Sequence, residues 1–352
     1  MKCDITKILG KGGKIRNLIL AGDIGATKTN LGYFELNKGI LKSKEISSFP
    51  NKDYQNLKSI LKEFMKDHHE DLDGACFGIA GPINQGICKV TNLPWVIDQK
   101  VLKRLLKMKN VFLINDMEST ANGIQVLPKE AFAILNHGIP EPKGNIAVIA
   151  AGTGLGEGML LWDGKGYRAE GSEGGHADFA PCNKEELELC RYLFDKFGHS
   201  SYERVLSGPG LLNIYDFLKK RNLGEEPAWL KKELAQSDQG YVITQNADKG
   251  LSKLCVKTMD LFCAIYGAEA DNLALKILAR GGVYLGGGIA PKILNKLQDG
   301  TFKKSFLNKG RFSKFLSKIP VYVILEEKTA LYGAAMYSLR KMDMAHQTQK
   351  KP

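Results

Sequence analysis

Asn115 and Asp116 follow directly on the apolar run Val111–Ile114. An apolar run that ends in polar residues is typical of a buried parallel strand, and open α/β sheets bind ligands at the carboxyl ends of such strands. The two side chains offer a hydrogen-bond donor, an acceptor and a carboxylate that could serve as a general base. The pair also suits an Asx turn or a helix N-cap, with Met117–Ile124 as the helix. These residues alone leave both interpretations open.

Further candidates lie in two glycine-rich turns, each between short strands. The predicted strands and turns are Leu18–Gly22, Asp23–Asn30 and Leu31–Leu36, then Asn145–Ala151, Gly152–Gly158 and Met159–Trp162. Such turns can direct backbone N–H groups at phosphate oxygens. Neither fits a Walker or dinucleotide fingerprint, because Thr27 replaces the second glycine in one and Glu157 the last glycine in the other. We expect the two hairpins to hold the phosphates of a nucleotide between two domains.

Asp23 stands at the mouth of the first turn, where a carboxylate suits Mg²⁺ held directly or through water. A turn aspartate that caps its own backbone is the alternative. A glycine triplet, Gly286–Gly288, follows a later apolar segment. It suits the close approach of an adenine or ribose, or else is a simple turn.

Glu173 and His176 flank two glycines in the sequence GSEGGH. A carboxylate and an imidazole within four residues suit the recognition of hydroxyl groups, with the glycines allowing close approach. A surface turn with a structural histidine is the alternative. Glu203, shortly before the turn Ser207–Gly210, is either a third acceptor or a solvated helix residue.

The whole chain narrows the classes of function. Its 352 residues predict two domains, and it has no apolar stretch long enough for a membrane span. Seven scattered cysteines without a CxxC pair predict free thiols in a reducing compartment, hence a cytoplasmic location, and argue against a zinc site. The net charge of +12 is spread along the chain, which predicts solvated surface rather than a nucleic-acid interface. Residues 1–17 are basic and lack an apolar core, so they are predicted to be an extension rather than a signal peptide.

Eight segments, in order, make the chain resemble the bacterial-type glucokinases of the sugar kinase, heat-shock protein and actin superfamily. The segments are DIGATKTN (Asp23–Asn30), FGIAGPI (Phe77–Ile83), TNLPW (Thr91–Trp95), LIND (Leu113–Asp116), AGTGLG (Ala151–Gly156), EGGHADFAP (Glu173–Pro181), ERVLSGPGLLNIY (Glu203–Tyr215) and YLGGGIAPK (Tyr284–Lys292). They occur in the order of the family, and the resemblance runs from about Asn17 to Leu339, nearly the whole chain, so it does not rest on one motif.

The resemblance implies an α/β, two-domain actin-like ATPase (ribonuclease H-like) fold with an interdomain active-site cleft. Beyond the extension 1–17, the expected small domain is 18–126 plus 335–352, and the large domain is 127–334. The implied activity is ATP-dependent phosphorylation of D-glucose at its 6-hydroxyl, the first step of glycolysis, giving glucose 6-phosphate and ADP. The implied cofactors are ATP and Mg²⁺. The implied partners are glucose and ATP, with no nucleic acid and no membrane, in a homodimer.

The resemblance also assigns roles to residues of this chain. Asp116 is the implied catalytic base and binds sugar together with Asn92, Asn115, Glu173, His176 and Glu203. The implied nucleotide-binding residues are Asp23, Gly25, Ala26, Thr27, Lys28, Gly152, Thr153, Gly154, Gly287 and Gly288. Asp23 is the implied Mg²⁺ residue, acting through water.

Two residues depart from the family pattern. Ala26 stands where the family often has glycine, and Lys28 where a small polar residue is usual, so Lys28 is a candidate cation near the γ-phosphate. The zinc-binding cysteine cluster of the related repressor and kinase group is missing. Three alternatives stay open: a kinase for another hexose or an N-acetylhexosamine, a non-catalytic sugar sensor, and a nucleic-acid binder.

Overall fold

The structure is a computed structural model that describes residues 18–68 and 70–349, without the side chains of residues 346–349. The predicted extension 1–17 lies outside the described residues. The chain forms two compact units. Unit 1 comprises the described residues up to Ala131, the segment Gly158–Gly171 and the residues from Glu326 onward; unit 2 comprises Phe132–Glu157 and Ser172–Leu325.

The described residues form both strands and helices. The strands are β1 (Leu18–Ile24), β2 (Lys28–Asn37), β3 (Ile40–Pro50), β4 (Gly74–Ile79), β5 (Ile83–Asn84), β6 (Ile87–Lys89), β7 (Val96–Asp98), β8 (Val111–Asn115), β9 (Phe132–Asn136), β10 (Ile146–Ala151), β11 (Leu155–Trp162), β12 (Tyr167–Ser172), β13 (Gly282–Gly286) and β14 (Val321–Ile324). The α-helices are α1 (Leu57–Phe64), α2 (Gln99–Leu105), α3 (Asp116–Ile124), α4 (Lys184–Phe197), α5 (Gly208–Lys220), α6 (Ala228–Gln236), α7 (Gln239–Asp248), α8 (Lys253–Ile277), α9 (Leu294–Gln298), α10 (Thr301–Phe306), α11 (Ser313–Leu316) and α12 (Thr329–Gln349).

Unit 1 is built on a mixed five-stranded sheet of order β3-β2-β1-β4-β8. β1, β2 and β3 pair antiparallel, whereas β1, β4 and β8 are parallel. A separate three-stranded sheet, β5-β6-β7, carries the TNLPW segment. The parallel part of the large sheet brings the carboxyl ends of β1 and β8 to one edge, where ligands of α/β sheets bind.

Alternating side chains of the unit 1 sheet fill two separate cores, as the two-residue period of a strand requires. Leu18, Leu20 and Ile24 pack on one face with the buried residues of α1 and α2. Ile19 and Ala21 pack on the other face with the buried residues of α12. The C-terminal helix therefore completes a core that begins with the first strand.

Unit 2 contains most of a second mixed sheet, of order β12-β11-β10-β13-β14-β9. β10, β13 and β14 are parallel, and β9 joins the edge antiparallel. Its first five strands have the same chain-order pattern as the sheet of unit 1, which extends the recurrence of the two predicted hairpins to whole sheets. The long helix α8 is buried along most of its length in the core of the unit.

The segment Gly158–Gly171 belongs to unit 1. Its hairpin reaches α12: Arg340 Nη1 donates to the Tyr167 carbonyl, and a Cβ on Gly166 would lie 3.0 Å from Arg340. The spacing of apolar residues could not foresee this contact, because the two residues are 173 positions apart.

Most predicted elements are present, with changed ends. The two glycine-rich turns are shorter than predicted and comprise Gly25–Thr27 and Gly152–Gly154. The flanking strands extend into residues that were predicted to belong to the turns. The six cysteines among the described residues are free thiols, as predicted, and Cys76 lies in the core. Within the described ranges, no helix is long and apolar enough to cross a membrane.

Candidate active site

The first glycine-rich turn, Gly25–Thr27, is held by its own strands and by Asn51. Gly25 N–H donates to the Lys28 carbonyl over 3.1 Å. Asn51 Nδ2 donates to the Gly25 carbonyl (2.9 Å), and the backbone N–H of Asn51 donates to the Thr27 carbonyl (2.9 Å). Gly25 and Ala26 are half-buried, whereas Thr27 and Lys28 are exposed. The backbone of the turn is therefore held by Asn51, while Thr27 and Lys28 are exposed to solvent.

Asp23 precedes this turn and lies in register with Asn30 of β2. Asn30 Nδ2 donates to Asp23 Oδ2 over 3.0 Å, and Lys328 Nζ donates to Asn30 Oδ1 over 2.9 Å. Burial raises the pKa of Asp23, against the lowering effects of the Asn30 hydrogen bond and the charges of Lys28 and Lys328. A hydrated divalent cation would offset the cost of burying the ionised carboxylate, because its positive charge favours the ionised form. The environment of Asp23 thus fits Mg²⁺ held through water.

Asn115 and Asp116 lie at the carboxyl end of β8, as predicted. Asn115 is the N-cap of α3: its Oδ1 accepts from Met117 N–H (2.9 Å), and its Nδ2 donates to the Gly81 carbonyl (3.3 Å). Asp116 Oδ1 also accepts from Met117 N–H, over 2.9 Å. The capping interpretation is therefore confirmed for Asn115, and it is compatible with ligand binding because an amide group has further donor and acceptor capacity.

The sheet register relates Asp116 to Asp23. Asp23 pairs with Gly78 of β4, and Gly78 pairs with Ile114 of β8, so one strand separates the two carboxyl ends. At a strand spacing of about 4.8 Å, the backbones of Asp23 and Ile114 are about 10 Å apart on the same edge, and Asp116 lies two residues beyond Ile114. Asp23 and Asp116 therefore belong to the same edge of the sheet but to strands that are not neighbours.

Asn92 lies in the loop between β6 and β7 with a left-handed backbone (φ 64°), and it is exposed. The loop is anchored by Trp95, which is buried, and by Thr91 N–H, which donates to the Ala80 carbonyl over 2.9 Å. Gly81 follows Ala80, and its carbonyl accepts a hydrogen bond from Asn115 Nδ2. Unit 1 therefore gathers Asn92 and Asn115 around one segment of backbone.

The second turn, Gly152–Gly154, lies beside the glycine triplet in unit 2. β10 and β13 run parallel with Ala150 opposite Gly286, so both glycine segments begin at the same edge. Gly287 has φ 78°, and a Cβ there would lie 2.2 Å from the Ala151 carbonyl oxygen. Only glycine fits this close approach without a shift of the backbone. Thr153, Gly287 and Gly288 are exposed, which leaves backbone at this edge accessible to a ligand.

The start of α5 meets the same turn. Gly208 N–H donates to the Gly152 carbonyl over 2.8 Å, and Ser207 caps the helix by accepting from Gly210 N–H over 3.0 Å. The SGPG sequence thus works as a helix start whose first residues hold the turn.

Glu173 and His176 bracket the short 3-10 segment Gly174–His176. The side chain of His176 is 61% exposed and that of Glu173 is 68% exposed. Nε2 of the imidazole lies 4.0 Å from Oε2 of the carboxylate. The backbone after His176 is hydrogen-bonded to the segment that carries the third candidate, Glu203, because Tyr202 N–H donates to the Ala177 carbonyl over 3.0 Å. Glu203 Oε2 in turn accepts from Leu155 N–H over 2.9 Å. Unit 2 therefore brings the three predicted sugar residues and the turn Gly152–Gly154 into one neighbourhood.

Two acidic residues, Glu157 and Glu269, are buried in unit 2, and Glu157 packs against the loop that carries Glu173. Glu157 and Glu269 are 1% and 0% exposed, and their carboxyl groups are in hydrogen-bonding contact. A Cβ on Gly174 would lie 2.0 Å from Glu157 Oε2, so the loop of Glu173 rests on this side chain. Burial and then the charge of Glu269 raise the pKa of Glu157 to about 8. Two buried carboxyl groups in contact share a proton, because both cannot ionise there.

Sequence reasoning missed three of these residues. Asn51 bonds to the first turn and Lys328 bonds to Asn30 of β2, whereas Glu157 was interpreted as a turn residue that departs from a glycine fingerprint. Asn51 and Lys328 lie in segments that carry no motif of their own. Glu157 lies in the glycine-rich segment Gly152–Gly158, but an acidic residue there predicts exposure to solvent rather than burial.

Among the described residues, no group of three or more His, Cys, Asp or Glu side chains could hold a metal ion. A cation at Asp23 would therefore complete its coordination with water and substrate oxygens, as Mg²⁺ does.

The sequence is similar to known proteins over most of its length. The sequence profile of the glucokinase family matches residues 20–341. A glucokinase of Nostoc punctiforme is 41% identical over 339 residues, which cover 92% of this chain and 99% of the relative. The chain belongs to the glucokinase family.

Solved structures of the family have the same fold. The crystal structure of a glucokinase from an Antarctic psychrotroph superposes with a TM-score of 0.80 at 27% identity, covering 92% of this chain and 99% of that one. A ROK family glucokinase from Streptomyces griseus, solved in complex with glucose and AMPPNP, gives a TM-score of 0.62 at 19% identity, covering 91% of this chain and 98% of that one. The predicted α/β class is confirmed, and this chain contains mixed sheets.

Proposed function

We propose that the protein phosphorylates D-glucose at the 6-hydroxyl with ATP, giving glucose 6-phosphate and ADP, and so supplies the first step of glycolysis. The observation that carries the proposal is the family match over residues 20–341. The strand-end position of Asp116 supports it, because this edge of the sheet is where an acid–base residue meets a ligand.

In the proposed reaction, Asp116 accepts the proton of the 6-hydroxyl as that oxygen attacks the γ-phosphorus in line. The bond from the γ-phosphorus to the bridging oxygen breaks, and ADP leaves with the electron pair. Positioning and charge neutralisation supply most of the acceleration in phosphoryl transfer. A positioned general base adds a further factor of about 10² to 10⁴.

Glucose is proposed to bind through Asn92, Asn115, Asp116, Glu173, His176 and Glu203. The carboxylates accept from sugar hydroxyls, whereas the amides and the imidazole complete the pairing. A site that pairs each hydroxyl rejects analogues that lack one, because its polar groups are then left without partners.

The nucleotide is proposed to bind along the two glycine-rich turns. The residues assigned to it are Asp23, Gly25, Ala26, Thr27, Lys28, Gly152, Thr153, Gly154, Gly287 and Gly288. Asp23 is assigned to Mg²⁺ through water, and Mg²⁺ would neutralise charge on the phosphate oxygens. The desolvated carboxylate of Asp23 and the exposed cation Lys28 support these assignments.

We further propose that the small domain (18–126 plus 335–352) and the large domain (127–334) enclose the site in an interdomain cleft. Closure around glucose would exclude water, which would otherwise accept the phosphoryl group. A cytoplasmic homodimer is part of the same proposal, and light scattering coupled to gel filtration would test the dimer.

The test compares wild type with Asp116→Asn and with the control Asp98→Asn. Asp98 is also an aspartate between a strand and a helix of unit 1, where its Oδ1 accepts from Lys100 N–H over 2.6 Å. The assay follows glucose 6-phosphate formation from glucose and Mg-ATP, with glucose binding measured by calorimetry. We expect Asp116→Asn to bind glucose but lose turnover by about 10² or more, and Asp98→Asn to keep both.

Near-normal turnover of Asp116→Asn would refute the base assignment. No glucose phosphorylation by the wild type would refute the proposed function. A panel of other hexoses and N-acetylhexosamines would then distinguish a kinase of different specificity from a sugar sensor.

A further inference from the structure

Glu203 contacts the backbone of the phosphate turn in unit 2. Its Oε2 accepts from Leu155 N–H over 2.9 Å, immediately after Gly154. A Cβ on Gly154 would lie 2.5 Å from the same oxygen, so the carboxylate fills the space that any other side chain would need. The carboxylate is therefore packed against the turn as well as bonded to it.

The same short segment holds the other end of the turn. Ser207 Oγ donates to the Glu203 carbonyl over 2.7 Å, and Gly208 N–H donates to the Gly152 carbonyl over 2.8 Å. Residues 203–208 thus bond to the turn at Gly152 and at Leu155. The turn Gly152–Gly154 cannot shift without breaking one of these bonds.

We propose that Glu203 is a positioning residue for the phosphate turn, in addition to its proposed contact with the sugar. This inference rests on the proposed function. A carboxylate has about four acceptor positions, so the bond to Leu155 leaves capacity for a sugar hydroxyl. One side chain would then join the sugar site to the turn that carries Thr153.

The joint role has an energetic consequence. A sugar bound to Glu203 restrains the carboxylate, and the carboxylate restrains the turn, so sugar and nucleotide should favour one another's binding. Such coupling is reciprocal by thermodynamic necessity. It would favour phosphoryl transfer to the sugar over transfer to water.

The first experiment measures MgADP binding by calorimetry in the absence of sugar, using wild type, Glu203→Ala, Glu203→Gln and His176→Ala. A hydrogen bond to a charged group is strong enough to change a dissociation constant by about tenfold. We therefore expect Glu203→Ala to weaken MgADP binding by about tenfold. Glu203→Gln keeps an oxygen acceptor for Leu155 N–H and should restore nucleotide affinity, although glucose binding stays weakened. His176→Ala should weaken glucose binding alone.

The reciprocal variant is Gly154→Ala, which places a methyl group where the Glu203 carboxylate lies. We expect it to weaken glucose binding measured without nucleotide, although Gly154 belongs to the phosphate turn. Unchanged MgADP affinity in folded Glu203→Ala would overturn the proposal. If Glu203→Ala does not fold, unchanged glucose affinity in Gly154→Ala would overturn it instead.

Hydrogen exchange separates this proposal from the proposed function. In the free protein, Glu203→Ala should speed exchange of the Leu155 amide, whereas Glu203→Gln should protect it. This measurement needs no ligand, so it decides the proposal even if the wild type binds no MgADP and the proposed function fails. Equal exchange of the Leu155 amide in all three proteins would refute the positioning role.

Discussion

The acid pair Glu157–Glu269 gives a prediction about stability and pH. Both side chains are essentially without solvent exposure, and burial raises the pKa of Glu157 from 4.5 to about 8. The groups that face the pair include Lys276, whose Nζ is 3.7 Å from Glu269 Oε1, together with Tyr202, Tyr266 and Asp271. Asn272 Nδ2 also donates to Glu269 Oε2 over 2.9 Å. The single nearby ammonium group among these does not offset the desolvation of two carboxylates, so the pair holds a proton.

The sign follows from which state binds the proton. Between pH 4.5 and about 8, the folded protein keeps a proton on the pair that the unfolded chain has released. The free energy of unfolding therefore falls as the pH rises through this window. At about 1.4 kcal/mol per pKa unit, the loss reaches about 3 kcal/mol at pH 7 and about 5 kcal/mol above pH 8.

Glu157→Gln removes the titration while keeping the shape, and its amide can donate to Glu269 in place of the shared proton. We expect the variant to gain stability over wild type as the pH rises, by up to about 3 kcal/mol at pH 7. The assay is urea unfolding at several values from about pH 5 to about pH 8.5, with the exposed Glu225→Gln as the control in the same unit. Parallel stability profiles for wild type and Glu157→Gln would refute the shared proton.

A second readout tests the link to the sugar loop. Because Gly174 rests on Glu157, loss of the shared proton should disturb the loop that carries Glu173 and His176. We expect the glucose affinity of the wild type to fall above about pH 8, and that of Glu157→Gln to fall less. Equal alkaline losses in both proteins would assign the effect to another group.

Three further substitutions test the two turns. Gly287→Ala places a Cβ against the Ala151 carbonyl at a positive φ, and should cost roughly 1–3 kcal/mol of stability in urea unfolding and raise the KM for ATP. Asn51→Ala removes the side-chain bond to the Gly25 carbonyl and should raise the KM for ATP more than that for glucose, with a stability loss of about 1–3 kcal/mol. Lys28→Ala removes an exposed cation beside Asp23 and should raise the KM for ATP about two- to fivefold, without loss of stability.

Each of these has its own contrary outcome. Wild-type stability of Gly287→Ala would mean that the backbone near Ala151 adapts freely. An equal rise of both KM values in Asn51→Ala would indicate general damage to unit 1. Lys42→Ala, an exposed lysine on β3, controls for net charge, and an equal effect there would show that Lys28 acts through the overall charge alone.

Local patterns in the sequence were sufficient to predict the elements that carry the candidate site. Apolar runs broken by glycine or by acidic residues predicted both hairpins, and they predicted the strand end at Asp116. The reason is that strand alternation and turn chemistry are properties of adjacent residues. The ends of these elements were less well predicted, because Asp23 and Glu157 continue strands although their types favour turns and solvent.

Only the tertiary structure decided which side chains support the site. Lys328 bonds to Asn30 from 298 positions away, Asn51 holds Gly25 from 26 positions away, and Glu203 meets Leu155 across 48 positions. Such contacts follow from strand register and helix packing, which no periodicity in a short window records. The sequence by itself determined the types and local placement of the reactive groups. The hydrogen bonds that position these groups, and the burial that sets their protonation, arise only when distant segments pack together. The reason is that burial is a property of the folded chain.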